Sequence, residues 1–417
     1  MTTYNTSSTL SALWKEIYND DASSVIPEAA VLQQKVKYVS GDKELGDKFI
    51  VPTMLSHEAG FSYLGVNSGA STLNSVEAAV YKEAQVDGSM VVLRSAISYN
   101  AAQKMANNKR AFMKWSEMLY SNMVGSLAKR LEIAFLYGQS GLGTVSSNGC
   151  SVAITLTTAS WASGIWAGSE GSLLDCWASN LTTQRNTNAV LVVSSVDLVN
   201  RIVTVTGNAS DLAAIAANDV FFFRGANAGS STYNECAGLD KIITNTGTLF
   251  NISASTYALW KGNSYSASSA ALTMAKVLAG AALANERGLE EDAILLCSPK
   301  TFANLNSDLS ALRVYDSSYS KSEGSNGFKS LKYYHQGGQL EVISHIYCKE
   351  GEAFLIPQGQ FIRVGSCEPT FKLPGQSEDV FLQVPDTAAY EIRCMSEQAI
   401  FGYKPAQCVK FTSIVNS

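Results

Sequence analysis

The chain has 417 residues, enough for two or three compact units with their own cores, and a formal net charge of −5. That mild negative balance excludes a basic nucleic-acid clamp, which needs clustered Lys and Arg to neutralise phosphates. No apolar run is long enough for a membrane-spanning helix, and the start, MTTYNTSSTLSALWKEIYNDD, lacks the basic and apolar regions of a signal peptide.

Charged residues make up 16% of the chain, against roughly 25% in ordinary soluble proteins. Interface cores are depleted in charge, so the shortage points to surface hidden in subunit contacts. The eight cysteines are scattered without a CxxC pair and read as buried reduced thiols.

Residues 1–45 read as an arm. STLSALWKEIYND places Leu10, Leu13, Trp14, Ile17 and Tyr18 on one face of a short helix. A polar stretch with little periodicity follows. Residues 46–97 read as a long, loose hairpin: KFIVPTML and EAQVDGSMVVLRSAIS are strand-like, and the turn-rich GFSYLGVNSGASTLNS lies between them. Such a hairpin buries little against itself.

Residues 98–137 predict one long helix. Phe112, Leu119, Met123, Leu127, Leu131 and Phe135 recur at near-helical spacing, and about forty residues at ~1.5 Å each would span roughly 60 Å. The helix ends in EIAFLYGQSGLGTV, where Gly138, Gly141 and Gly143 permit a sharp turn with φ > 0. Residues 146–265 change character. Only Glu170, Asp175 and Arg185 are charged between Ser146 and Ser195, and RIVTVTGNASDLAAIAANDVFFFRGA reads as strand, turn, strand. This is a β-rich insertion. From residue 266 helices and strands mix again. One helix ends at Gly288, a buried strand DAILLCS follows, and another helix opens with Ser298 as N-cap and Pro299 at its first position. At least six strands complete the chain.

Chemistry is hard to find. His57, His335 and His345 each sit without a carboxylate or second histidine at ligand spacing, so a structural role is the expectation. GQSGLG fails as a nucleophile elbow because Leu142 stands where glycine is required, and it lacks the Gly-Lys-Ser/Thr ending of a phosphate loop. The basic NNKRAFMK reads as a solvated helix face. We therefore expect no catalytic residue, cofactor or metal.

Three stretches in this order resemble the major capsid protein of tailed bacteriophages, the HK-ninety-seven type fold also used by encapsulin shells. EIAFLYGQSGLG looks like the family's spine helix closing on a glycine-rich turn. ALTMAKVLAGAALANERGLEEDAILLCSPKTFANL resembles the axial-domain helix, central strand and following helix. SEQAIFGYKPAQCVKFT resembles the C-terminal strand with its aromatic-basic-proline step at Tyr403, Lys404 and Pro405. The resemblance implies an α+β capsid fold with an N-terminal arm (1–45), an extended loop (46–97), a spine-helix segment (98–145), a β-rich insertion leading into the axial domain (146–265), the axial domain (266–370) and returning peripheral strands with the C-terminal axial strand (371–417). It also implies a self-assembling icosahedral shell around double-stranded DNA, in the virion, assembled in the host cytoplasm.

Assembly contacts are then expected at Leu10, Trp14 and Ile17 of the arm and at Tyr63, Leu64 and Lys82 of the extended loop. Lys82 is also a candidate for cross-linking to a neighbour's asparagine. Implied partners are further copies as hexamers and pentamers, a separate scaffolding protein, a portal and a cement or decoration protein; DNA is enclosed without sequence-specific binding. Three other readings stay open: an encapsulin-like compartment, a hydrolase with a β-rich accessory domain, and a glycan-binding adhesin resting on the Ser/Thr-rich residues 146–269.

Overall fold

A computed structural model describes Ile26 and residues 29–40, 48–66, 69–105, 115–147, 152–230, 232–312, 331–372, 381–384 and 387–416. Leu10, Trp14, Ile17 and Phe112, with the NNKRAFMK stretch, lie outside the described residues.

In chain order the elements begin with α1 (Val31–Lys35), β1 (Lys37–Ser40), β2 (Phe49–Ser56), β3 (Val80–Val86), β4 (Ser89–Ser98), α2 (Tyr99–Met105) and α3 (Trp115–Tyr137). The next stretch holds β5 (Gly143–Ser147), β6 (Ala153–Leu156), α4 (Ser163–Trp166), β7 (Leu173–Trp177), β8 (Leu191–Asp197), β9 (Ile202–Thr206), α5 (Ala209–Ala214) and β10 (Val220–Phe223). Short pieces follow: β11 (Asn227–Gly229), β12 (Thr232–Tyr233), α6 (Leu239–Thr244), β13 (Thr248–Leu249) and β14 (Ile252–Ser253). Then come β15 (Asn263–Ala270), α7 (Met274–Asn285), β16 (Ala293–Cys297), α8 (Pro299–Leu312), β17 (Leu331–His335), β18 (Gly338–Ser344), β19 (Ala353–Pro357) and β20 (Phe361–Thr370). The last strands are β21 (Phe381–Gln383), β22 (Ala389–Gly402) and β23 (Val409–Ile414).

The chain forms two compact units. The smaller takes Ile26 and the described parts of Val92–Leu127 and Thr370–Cys394; the larger takes those of Pro27–Val91, Ala128–Pro369 and Met395–Ser417. In the smaller unit β21 pairs antiparallel with the start of β22, Phe381 opposite Ile392. The Tyr99 ring lies 4.7 Å from Tyr390 and Tyr120 lies 4.6 Å from Phe371, while Arg94 reaches Glu391 at 2.7 Å. Aromatic pairs at this range attract each other beyond the area they bury.

The larger unit includes two sheet cores besides the sheet in which β1, β20 and β22 pair. The first is a closed barrel in the order β10-β5-β6-β9-β8-β7. Closure removes exposed strand edges, which suits a segment poor in charge. Val145, Ile154, Leu174, Leu191, Val203 and Phe221 are fully buried, and Trp166 closes against Phe221 and stacks on Trp161. The sequence placed residues up to 145 with the spine helix. The structure makes Gly143–Val145 part of the first barrel strand, because the chain re-enters sheet pairing directly after the turn.

The second core is a six-stranded mixed sheet in the order β15-β23-β19-β16-β18-β17. Every residue of AILLC in β16 is buried, as expected for a central strand covered on both faces. Val277, Ala281 and Ala284 of α7 and Leu305 of α8 belong to its hydrophobic core. Gly288, with φ +89°, ends the α7 region, and the Ser298 hydroxyl accepts from Thr301 N at 3.3 Å to cap α8. The arm reading for residues 29–40 is corrected here. They dock in the larger unit, with Leu32 buried and β1 running parallel to β20. A five-residue helix and a four-residue strand are too short for periodicity to register them.

Candidate assembly surfaces

The extended loop is a hairpin with a clamped base and a bare tip. β2 and β3 pair antiparallel from Phe49 opposite Val86 to Met54 opposite Tyr81. At the base Ala84 and Val86 are buried, Gln85 N donates to Phe250 O at 3.1 Å, and the Phe49 ring sits 6.3 Å from Phe401. Pro52 interrupts the donors of β2, which protects that outer edge from indiscriminate pairing.

Beyond β2 the tip folds back through few bonds. Ala59 N donates to Glu77 O at 3.1 Å, and Asn74 Nδ2 donates to Phe61 O at 2.7 Å. The tip's apolar side chains point to solvent. Tyr63 is 95% exposed, Val66 102% and Val76 92%; Phe61, Leu64 and Leu73 are also exposed. Each such side chain gives about 1.5–3 kcal/mol when fully buried, so the tip is an unusually apolar surface left uncovered. Of the sequence candidates, Tyr63 and Leu64 lie on this tip, and Lys82 lies exposed on β3 opposite Thr53.

The spine segment is α3, Trp115–Tyr137, with α2 at Tyr99–Met105 and residues 106–114 undescribed. Trp115–Leu127 belongs to the smaller unit and Ala128–Tyr137 to the larger. Met123, Leu127, Leu131 and Phe135 are buried, while Leu119 is half-buried. In its last two turns the helix is covered almost all round, with Glu132, Ile133, Leu136 and Tyr137 buried as well.

Glu132, one of the polar residues between the apolar positions, is fully buried, and His345 is not alone. His345 Nε2 lies 2.9 Å from Glu132 Oε1, and its Nδ1 accepts from Tyr347 N at 3.1 Å. An accepting Nδ1 puts the proton of a neutral ring on Nε2, so the imidazole donates to Glu132. The same carboxylate accepts from Leu32 N at 2.6 Å and Gln33 N at 3.2 Å, satisfying first-turn amides of α1. One side chain thereby ties α1, α3 and the segment after β18.

The turn after α3 departs from the expected mechanism. Only Gly141 of the three glycines has positive φ, at +81°; the other left-handed residue is Gln139 at +64°. Gly138 is required for space: a Cβ there would collide with Cys236 O and lie 2.6 Å from Ala134 O. Gly143 meets only the soft methyl of Leu156, at 3.0 Å. Gln139 N is held by Glu235 Oε1 at 2.7 Å. Burial pushes the Glu235 carboxyl up to about 7, against the opposing Gln139 N–H and the charge of Arg130. Burial lowers Arg130 to about 10, with Glu235 opposing, and its guanidinium lies 3.2 Å over the Phe223 ring.

Among the described residues no group of three or more His, Cys, Asp or Glu side chains gathers to hold a metal, and no helix is long and apolar enough to cross a membrane. None of the seven described cysteines is in a disulfide, and six of them are buried.

No family model and no curated protein matches the sequence. Solved structures do. The capsid subunit of cyanophage A-1(L) aligns over 98% of this chain and 99% of its own, with TM-score 0.60 and 12% identity. The capsid protein of an empty GTA particle aligns over 99% and 100%, with TM-score 0.52 and 10% identity, and that of the native GTA particle gives 0.53 and 9%. The described residues have the α+β fold of these capsid proteins.

Proposed function

We propose that this chain is the major capsid protein of a tailed bacteriophage and that it self-assembles as hexamers and pentamers into an icosahedral shell enclosing double-stranded DNA. The observation that carries the reading is the hairpin, clamped at Ala84 and Val86, with Phe61, Tyr63, Leu64, Val66, Leu73 and Val76 bare at its tip. A surface of that kind serves a partner, and the fold shared with a capsid subunit supports another copy of the chain as that partner. Covering the six apolar side chains of the tip gives on the order of 10 kcal/mol per subunit before the costs of association. Closure multiplies that modest contact around the shell.

Tyr63 and Leu64 are assigned to this contact. Leu10, Trp14 and Ile17 are assigned to a second one, made by the arm. Lys82, exposed on β3, is assigned as the candidate for a covalent cross-link to a neighbouring subunit. The spine helix carries load through Met123, Leu127, Leu131 and Phe135, and the turn at Gly138 and Gly141 directs the chain into the barrel. The role is structural rather than enzymatic. A net charge of −5 suits an inner wall that encloses DNA without gripping it. A separate scaffolding protein, a portal and a cement or decoration protein complete the particle, which assembles in the host cytoplasm. Sedimentation velocity of the full chain, expressed alone and with its genomic neighbours, tests the reading: rapidly sedimenting closed particles support it, and a monomer under both conditions refutes it.

A further inference from the structure

Outside the surfaces described above, the larger unit buries an unusual group of charges. Lys410 of β23 contacts Asp240 of α6 with its Nζ, and the same nitrogen lies 2.7 Å from Glu352 Oε1, just before β19. Lys410 and Asp240 are buried, and the other Glu352 oxygen, Oε2, is buried without a hydrogen-bond partner. The charge of Lys349 bears on the Asp240 carboxylate. Lys349 itself donates to Gly141 O at 3.0 Å. Phe354 and Tyr137 wall the site: Lys410 Nζ lies 5.9 Å from the Phe354 ring and Lys349 Nζ 4.0 Å from that of Tyr137. Two carboxyl groups thus converge on one amine nitrogen in a largely buried site beside aromatic rings.

We propose that Lys410 and Asp240 condense into an intramolecular isopeptide bond, with Glu352 as the catalytic proton carrier. The starting state is the ion pair. Burial opposes the charge on Asp240, but Lys410 and Lys349 hold its carboxyl below the ordinary value; burial likewise opposes the charge on Lys410, and Glu352 and Asp240 hold it above. One Nζ proton passes to the contacting Asp240 oxygen, leaving a neutral amine beside a neutral acid. The nitrogen lone pair attacks Asp240 Cγ, and the C=O electron pair moves onto the other oxygen, under the charge of Lys349. The nitrogen, now carrying a positive charge, gives a second proton to Glu352. The oxyanion re-forms the carbonyl and expels the protonated oxygen, which takes the proton back from Glu352 and leaves as water. The net change is ammonium plus carboxylate to amide plus water, with Glu352 restored.

Two physical terms favour the step. Fixed contact replaces the encounter of separate groups, and effective concentrations in such arrangements are very high. The product also replaces a buried ion pair, costly to desolvate, by a neutral amide. The bond would join β23 to α6 across 170 residues of chain. This does not depend on the assembly reading.

The test is the intact mass of the purified, denatured full chain, followed by protease digestion. The expected mass is one water below that of the sequence, with a fragment pair joined through Asp240 and Lys410. A wild-type mass equal to that of the sequence overturns the proposal on its own, whatever the variants do. Lys410→Arg keeps the charge but not the nucleophile and is expected at full mass. Water loss persisting in that variant would mean dehydration within the Asp240 region, and would overturn the bond. Glu352→Gln keeps the shape and is expected at full mass; equal cross-linking in that variant would overturn the role of Glu352.

Discussion

Replacing Glu132 with Ala is expected to destabilise the larger unit by about 3–5 kcal/mol, the range for removing one partner of a buried charged network. The magnitude follows from what is stranded. Leu32 N at 2.6 Å, Gln33 N at 3.2 Å and His345 Nε2 at 2.9 Å all lose their acceptor. A buried donor without a partner costs about 1–3 kcal/mol, so three set an upper range well above the expected value. Two effects offset part of it: the carboxylate's own burial cost disappears, and water enters the space left. Glu132→Gln should cost about half as much, because one carbonyl oxygen remains while an NH2 group now faces a donor. Chemical denaturation of unassembled subunit gives the number as a midpoint shift at constant slope. A loss below about 1 kcal/mol for the alanine variant would refute the idea that this carboxylate ties the three segments together.

Other consequences are equally specific. Gly138→Ala should cost about 3 kcal/mol or more, since its Cβ meets backbone carbonyls, whereas Gly143→Ala should cost less than about 1.5 kcal/mol against a movable leucine methyl; thermal melts of both variants read the contrast. Glu235 is raised from 4.5 to about 7, so the native state holds its proton more tightly than the unfolded chain. Stability from this group is therefore fully present below pH ~4.5, falls as pH rises toward 7 and stays lost above, by about 3 kcal/mol in all. Denaturation midpoints across that window, wild type minus Glu235→Gln, should show the fall; a pH-independent difference contradicts it. Tyr63→Ser combined with Leu64→Ser should leave subunit stability within about 0.5 kcal/mol and abolish particle formation, read by sedimentation. Normal particles from that variant would show that the tip is not an assembly contact.

Much of the architecture was legible because it is local. The apolar spacing from Leu119 to Phe135, the low charge of the barrel, the Ser298-Pro299 helix start and Gly288 each reflect the physics of a few neighbouring residues. What stayed hidden is long-range. Glu132 reads as part of a polar face, and its partner His345 lies 213 residues away. Gly138 looks like a conformational glycine, but its constraint comes from Cys236 and Ala134 packing against it. Closing the barrel depends on β10 pairing with β5, and α1 with β1 docks through a parallel pairing to β20 near the other end of the chain. The cluster of Asp240, Glu352 and Lys410 is likewise assembled only by the fold. The tip of the extended loop was readable in outline from its turn residues; the bareness of Val66 and Val76 was not.

The central claim is that the apolar tip at residues 61–76 is covered by another copy of this chain in a closed shell. Electron cryomicroscopy of particles made with the genomic neighbours tests it directly. The account predicts closed icosahedral shells in which Tyr63, Leu64, Val66 and Val76 pack against a neighbouring subunit. Persistent monomers, or shells in which that tip remains in solvent, would contradict it.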